Sequence, residues 1–462
     1  MSCFRTCDVR GTYPAEVNED LFRRIGQAVA RRWAARAEVL IGHDCRIASR
    51  ALHSALIHGL LEGGAKTVLD LGRVPTPLIY YGKRTLSVPV AMSVTASHNP
   101  PEHHGLKLLL PDGPAQSDDL AWLEANCPVD LPRRSGGSHR TIDLLSTYLG
   151  YLRSTWSEWG IQPSGRSPVD VVADAGNGAW SGIAPQFLRS LGIMCTAIND
   201  EPDGRFPGRS PDCSNPRNLT ELAHRVRSQG AHIGLAWDGD GDRLAVVDDE
   251  GRSVSADALG LLLLPSFQAG SGRSILLDVK MSRVLQREIV ARGFQPVIER
   301  SAHCSLERAM REHKCVFGCE YSGHYFFREL DGADDGLYAA LHLCRAVARS
   351  GSLSEAVRRL PPIFITPDIR MSASREDSDT ILAGIERAFP AATISRLDGV
   401  GVDLGEASFL LRRSVSEDKL TLRVEGNSPE SLWRTVSTVA HLLPESLRPR
   451  VLDPNRWNLS GS

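Results

Sequence analysis

The sequence predicts an α/β protein: three similar α/β domains followed by a smaller C-terminal α+β domain. Three observations carry this. Short apolar, β-branched runs alternate with helical stretches through most of the chain. Its 462 residues suffice for three or four domains. The alternation then changes after Pro361-Pro362. The expected domains are 1–143, 144–252, 253–362 and 363–462.

Within the first domain, residues 23–36 interleave arginines with Ile25, Val29 and Trp33 at helical spacing, the pattern of a helix with a solvated face. Residues 39–41, 67–69 and 88–94 read as apolar strands, separated by helices such as 51–62. The Pro- and Gly-containing stretch 131–138 reads as a linker or surface loop. Residues 169–173 open the second domain, with Asp174-Ala-Gly-Asn-Gly178 as the strand-to-helix turn. The third opens at 274–278 and continues through 296–298 and 316–317. Beyond Pro362, helices near 377–388 and 429–443 flank strands at 409–411 and 420–424.

Composition narrows the function classes. A formal net charge of −2 gives no electrostatic case for nucleic acid or an anionic membrane surface. No apolar run approaches membrane-spanning length, and Arg5 and Asp8 stand where a signal peptide would need an apolar core. Ten cysteines are scattered without CxxC pairs or zinc spacing, which reads as buried thiols of a reducing cytoplasm rather than a disulfide framework.

The most informative run is Asp238-Gly239-Asp240-Gly241-Asp242-Arg243, between two strand-like stretches. On an extended backbone three alternating aspartates share one face, and the intervening glycines let the chain bend. Three close carboxylates repel unless a hard cation sits among them. A single Asp-Gly would be only a hairpin tip; the tandem favours a metal. An EF-hand is excluded, because its sixth and twelfth positions would be Arg243 and Asp249. Three oxygens from one short loop leave coordination positions open, which suits Mg²⁺ shared with a phosphate.

A second loop, Thr95-Ala-Ser-His-Asn-Pro-Pro101, follows the strand at 88–94, and its prolines keep it from becoming a helix. A serine held rigidly past a strand end is placed to act as a nucleophile or phosphoryl carrier. Taken alone, Ser97 reads as a turn or cap hydroxyl. No Gly-x-Ser-x-Gly elbow surrounds it, so a hydrolase triad is unsupported.

Together these loops resemble the α-D-phosphohexomutase superfamily, nearest its phosphomannomutase/phosphoglucomutase branch. The resemblance continues in Phe4-Arg-Thr-Cys-Asp-Val-Arg-Gly11, in Cys319-Glu-Tyr-Ser-Gly-His324 and in Gly332-Ala-Asp-Asp-Gly336. Five motifs in order make a strong signal over essentially the whole chain. The resemblance implies four domains around one deep central cleft. It implies a phosphorylated Ser97, with Mg²⁺ held by Asp238, Asp240 and Asp242 and by that phosphate. The implied reaction interconverts hexose 6-phosphate and hexose 1-phosphate through a hexose 1,6-bisphosphate, which is both intermediate and activator and turns end for end in the cleft.

Arg243, beside the metal loop, is placed to neutralise charge on the transferred group. Lys107, in Gly105-Leu-Lys-Leu-Leu109, has apolar flanks that favour a depressed pKa and proton transfer with the sugar hydroxyl. Arg10 and His98 match family positions near the reacting phosphate, and Lys280 and His303 match positions lining the sugar cleft. Glu320 and Ser322 alternate across Tyr321 on one face of an extended segment, where they could hold two adjacent sugar hydroxyls. The resemblance makes these O3 and O4, configured alike in glucose and mannose.

The fourth-domain phosphate loop departs from the pattern. Arg412, Ser414 and Ser416 can donate to a phosphate, but Val415 has no side-chain donor. Glu417 and Asp418 bring negative charge, which weakens anion binding unless they turn outward. Cys7 and Cys319 also stand where the family has an aromatic and a glycine. Two alternatives stay open: a phosphoglucosamine mutase, and a phosphosugar-binding relative with weak or no turnover. The expected protein is cytoplasmic, a monomer or weak dimer, with a small phosphosugar as its partner.

Overall fold

A computed structural model describes residues 2–127, 134, 136–160, 169–267, 273–414 and 419–456. The first sheet runs in the order Asp8–Thr12, His103–Leu110, Val90–Val94, Glu38–His43, Thr67–Arg73, Ser138–Thr141, with the short Gly113–Pro114 pairing His103–Leu110. Val90–Val94 lies parallel to Glu38–His43 and antiparallel to His103–Leu110. It is buried along its whole length, which is why its sequence is apolar without alternation save for Ser93, whose hydroxyl bonds that of Thr76 at 3.0 Å. On one face the helix Glu19–Trp33 buries Phe22, Ile25 and Val29 against the helix Ser49–Gly63. Asn18 caps it by accepting from the Leu21 N–H, and acidic residues in its first turn with arginines in its last complement the helix dipole.

The second sheet has the order Ser253–Val254, Leu244–Asp248, Ile233–Trp237, Asp170–Asp174, Met194–Ile198. Ile233–Trp237 and Leu244–Asp248 are antiparallel, with Trp237 opposite Leu244, so the aspartate-glycine run is the loop of a hairpin. The third sheet is Gln295–Glu299, Ser274–Asp278, Phe317–Cys319, Tyr325–Phe327. In the fourth, Lys419–Gly426 pairs antiparallel with Phe364–Ile365, Ile369–Ser372 and Ala407–Arg413, and the sheet continues through Val400–Asp403 to Thr393–Ser395. The helices Arg375–Ala388 and Pro429–Leu442 pack on it.

One apolar core is shared by the first three units, from Leu40 through Tyr148, Trp180 and Trp237 to Phe317 and Leu341, and the first unit has a second core of its own around Phe22, Ile25 and Leu56. The fourth unit has a core of its own, including Ile369, Phe409, Leu422 and Val436. No helix among the described residues is long and apolar enough to cross a membrane.

Three local expectations differ from the structure. Residues 131–133 and 135 of the expected linker lie outside the described residues, and its last residue, Ser138, opens the exposed edge strand Ser138–Thr141, parallel to Thr67–Arg73. Residues 320–323 form a tight turn rather than an extended segment: the Gly323 N–H donates to the Glu320 carbonyl (3.0 Å) so that Tyr325–Phe327 can return against Phe317–Cys319. Finally, Cys7 and Cys304 are joined by a disulfide, and the other eight cysteines are free thiols.

Candidate active site

The loop after Val90–Val94 is held by its carbonyls. Buried Arg46 donates to the carbonyls of Ser97 (2.7 Å), Pro100 (2.6 Å) and His103 (2.9 Å). Arg10, itself paired with Asp8 at 2.7 Å, donates to the Ala96 carbonyl (2.9 Å) and Asn99 Oδ1 (2.6 Å). Thr95 Oγ1 donates to Asp44 (2.7 Å) and accepts from the Ser97 N–H (2.9 Å). These bonds hold Ser97 in a left-handed backbone conformation, φ +48°, a strained state that non-glycine residues keep at functional positions. They aim Ser97 Oγ at the acidic loop, where it donates to Asp238 Oδ2 at 2.8 Å.

The acidic loop is curled, not extended. Asp238 Oδ1 accepts the N–H groups of Gly241 (3.0 Å) and Arg243 (3.2 Å), which folds the loop around its first carboxylate. Both glycines are required by close approach. A Cβ at Gly239 would lie 2.4 Å from the Ser97 carbonyl oxygen; one at Gly241, where φ is +84°, would lie 2.3 Å from the Trp180 ring. The convergence read from the sequence is present by this other route: one oxygen each of Asp238, Asp240 and Asp242 falls within 4.8 Å of the others. Thr76 locks the second aspartate, its N–H donating to the Asp240 carbonyl (2.9 Å) and its hydroxyl to Asp240 Oδ2 (2.6 Å).

This donor set fits a hard divalent cation. Asp240 Oδ1 and Asp242 Oδ1 are buried without a hydrogen-bond partner, an arrangement that is costly unless a cation satisfies it. Burial and the charges of Asp240 and Asp242 hold the Asp238 carboxyl well above its usual range. Burial works against charge on Asp240 as well, but Lys107 outweighs it and holds that carboxyl below its usual range. Lys107 reverses the expectation of a depressed pKa. Burial does disfavour its charge, yet its ammonium sits 2.7 Å from Asp240 and also touches Asp242, and the pair raises it above the ordinary lysine value.

Arg243 Nε donates to His324 Nε2 at 2.8 Å. The other ring nitrogen of His324 bonds Asp334, which also pairs with His303 Nε2 at 3.1 Å. Burial would lower the His303 pKa, but Asp334 overrides it and pushes it up to about 9. His98, 3.4 Å from Ser97 Oγ, is held well below its ordinary value by burial and by Arg243.

Ser97, Arg10, Lys107, Arg243, His303 and His324 line one cavity of about 60 Å³. Lys280 lies elsewhere, on a cavity of about 300 Å³ between the third and fourth sheets, 3.5 Å from Asp368 and over the Tyr321 ring. Glu320 and Ser322 sit on the turn before Tyr325–Phe327, each with a buried oxygen lacking a hydrogen-bond partner. Arg412 pairs with Asp398 at 2.8 Å, and the Ser414 N–H donates to the Lys419 carbonyl. Ser416, with Val415, Glu417 and Asp418, lies outside the described residues. Four contributors carried no assigned role in the sequence: Thr76, Arg46, His324 and Asp334. The last two fall inside quoted motifs; Thr76 and Arg46 gave no sequence signal at all.

The family models for phosphoglucomutase/phosphomannomutase match in order: α/β/α domain I over residues 1–127, domain II over 148–251, and domain III over 255–364. A phosphomannomutase/phosphoglucomutase from Pseudomonas aeruginosa is 32% identical over 440 residues, covering 94% of this chain and 93% of its own. A protein from Methanothermobacter thermautotrophicus named "Probable phosphoglucosamine mutase" is also 32% identical over 440 residues, covering 92% and 94%. Among solved structures, a phosphoglucomutase/phosphomannomutase family protein from Burkholderia thailandensis superposes with a TM-score of 0.86 at 28% identity, covering 97% of both chains. Three domain models in sequence, and identity sustained across nearly the full length of both chains, lead to one assignment: the chain belongs to the α-D-phosphohexomutase superfamily, with the phosphomannomutases and phosphoglucomutases.

Proposed function

We propose that this hexose-phosphate mutase interconverts hexose 6-phosphate and hexose 1-phosphate of mannose and/or glucose, through a phosphorylated Ser97 and a hexose 1,6-bisphosphate. The observation that carries the reading is the 2.8 Å bond from Ser97 Oγ to Asp238, at the mouth of three converging carboxylates. Phosphoryl transfer needs positioning and charge neutralisation more than covalent chemistry, and both are present in this cavity.

In the proposed first half, the bond between Ser97 Oγ and phosphorus breaks as the free sugar hydroxyl bonds to phosphorus. Arg243, Arg10 and Lys107, all lining the cavity, offset charge on the group in flight. Lys107 is held charged by Asp240 and Asp242, so it is better suited to that work than to accepting a proton. Arg243, which donates to His324 Nε2 in this structure, turns to the phosphate in the phosphorylated form, and the Nε2 it frees, backed by Asp334 at Nδ1, takes the hydroxyl proton. A divalent cation held by Asp238, Asp240 and Asp242, Mg²⁺ by the hardness of the donors, supplies further neutralisation of phosphate charge. The bisphosphate then turns and returns its other phosphoryl group to Ser97, while Glu320 and Ser322 hold the sugar, with Lys280, His303, Arg412, Ser414 and Ser416 at its phosphate and ring.

The four units at 1–143, 144–252, 253–362 and 363–462 frame this reading. Eight free cysteines favour a reducing, cytoplasmic setting, and the protein is taken as a monomer or weak dimer. A second reading, glucosamine phosphate as substrate, is favoured by the Methanothermobacter relative. A coupled assay over mannose 1-phosphate, glucose 1-phosphate and glucosamine 1-phosphate, with Mg²⁺ and glucose 1,6-bisphosphate, separates them. Turnover of mannose or glucose phosphate at the highest kcat/KM upholds the proposal, and preference for glucosamine phosphate replaces it. Tight binding by calorimetry with no turnover would reduce the protein to a phosphosugar-binding relative.

A further inference from the structure

Cys7 and Cys304 are 297 residues apart in sequence, yet a disulfide joins them with their Cα atoms 5.6 Å apart, within the ordinary span for such a bond. Their positions matter more than the bond itself. Cys7 immediately precedes the strand Asp8–Thr12, which carries Arg10 and whose Asp8 is in register with Lys107. Cys304 is the second residue of the helix His303–Glu312, directly after His303. Both cysteines line the same small cavity as Ser97. The bond therefore ties the first unit to the third across the wall of the reaction cavity.

We propose that Cys7 and Cys304 are a reversible thiol–disulfide pair that regulates access to this cavity, open when reduced and narrowed when oxidised. Only the effect on turnover rests on the mutase reading; the covalent chemistry stands apart from it. Bonded sulfurs lie about 2.05 Å apart, whereas packed, unbonded heavy atoms keep about 3.5–4 Å. Oxidation thus draws the His303 helix toward the Arg10 strand. The cavity between them in the bonded state is about 60 Å³, against roughly 300 Å³ or more for pockets that take small-molecule ligands. Glu320, Ser322 and Lys280, proposed to hold the sugar, are not among its lining residues, so the narrowing acts at the phosphoryl-transfer centre beside Ser97. Free thiols elsewhere in the chain fit a reducing compartment, where a disulfide is characteristically transient.

The local chemistry supports exchange. Cys7 is only partly buried and can meet a small oxidant. Cys304 is 1% exposed, the second residue of its helix and within bonding reach of Cys7, so Cys7 meets the oxidant and Cys304 resolves it. With hydrogen peroxide as the oxidant, the Cys7 thiolate attacks one peroxide oxygen, giving a sulfenic acid and one water. The Cys304 thiolate then attacks the Cys7 sulfur, forming the S–S bond and expelling a second water. The two thiols lose two electrons and two protons, and the peroxide takes up both. A dithiol reverses the step by exchange.

The test uses the full-length protein, oxidised with hydrogen peroxide and then treated with dithiothreitol. Peptide mapping after alkylation reads the cross-link, and the coupled assay reads kcat. The expected result is a Cys7–Cys304 cross-linked peptide in the oxidised sample, lost on reduction. A fall in kcat of about tenfold should accompany it, within the range expected for displacing a positioning element by an ångström or so. Cys7→Ser and Cys304→Ser should keep the reduced rate under both treatments. No cross-linked peptide, or a cross-linked protein turning over at the reduced rate, overturns the proposal. If the reduced protein turns over no hexose phosphate, the mutase reading fails on its own account. Calorimetry with glucose 1,6-bisphosphate then decides the pair: weaker binding by the oxidised form upholds it, and equal binding overturns it.

Discussion

The first three units and the fourth are held to one another by different kinds of contact. One apolar core runs through units one to three, and the reacting groups are bonded across it: Ser97 to Asp238 at 2.8 Å and Thr76 to Asp240 at 2.6 Å. The fourth unit keeps a separate core and meets the third through polar groups. Ser282 Oγ and the Arg283 N–H donate to Glu425 (2.6 and 2.8 Å), and Arg423 pairs with Asp257 at 3.2 Å. The Ser301 N–H donates to Asp398 at 3.1 Å, and Arg283 pairs with Asp403 at 3.0 Å. Apolar packing loses its full free energy when separated, whereas polar contacts can be exchanged for water at modest net cost. The contrast teaches that the centre around Ser97 and the acidic loop is built rigid, and that the fourth unit is joined in a way that lets it shift.

Substitutions on the two sides should behave differently. The largest effect belongs to the rigid centre. Asp240→Ala removes a carboxylate locked by Thr76 and Lys107, and should lower kcat by about 10²–10³-fold, the range for losing one preorganised electrostatic group; steady-state kinetics over a range of Mg²⁺ checks it. Next, Arg412→Ala in the fourth unit should raise KM by about tenfold and leave kcat within about twofold, the signature of lost uniform binding. A matching collapse in kcat would break the comparison.

Third, Glu425→Gln leaves two donors facing a neutral amide. It should cost about 1–3 kcal/mol at that junction, seen in calorimetry as a fourth-unit transition moving below that of the rest. The last prediction concerns pH dependence. His303 holds its proton more tightly when folded, with a pKa near 9 against about 6.5 unfolded. Its stabilising contribution is therefore complete below about pH 6.5 and is lost as pH rises through about 9. Denaturant unfolding across that window should show the loss, and His303→Gln should flatten it.

How much of this was legible in the sequence follows from the range of each interaction. Ser97 and the three aspartates could be read because each motif is contiguous and its chemistry is carried by residue type and spacing. The strands at 88–94 and 274–278 could be read because burial on both faces leaves an apolar run without alternation. Thr76 and Arg46 could not: a helix-starting threonine and a loop arginine acquire their roles only when another unit's loop, or a set of carbonyls, arrives from elsewhere in the chain. Lys107 was misread because its apolar neighbours suggested desolvation, while the two aspartates that outweigh it lie more than 130 residues on. The 320–323 turn was taken as extended because the alternation of Glu320 and Ser322 was weighed above the Ser322-Gly323 dipeptide, a turn signal whose glycine, at φ +93°, carries the reversal. The Cys7–Cys304 pairing joins residues 297 positions apart, and no local pattern announces it.

The central claim is that Ser97 carries the phosphoryl group beside the acidic loop. Phosphopeptide mapping by mass spectrometry, after incubation with glucose 1,6-bisphosphate and Mg²⁺, tests it most directly. The account predicts one phosphoryl group on Ser97, absent from Ser97→Ala, whose turnover is lost. Phosphate found on a different residue, or Ser97→Ala working at the unaltered rate, would contradict it.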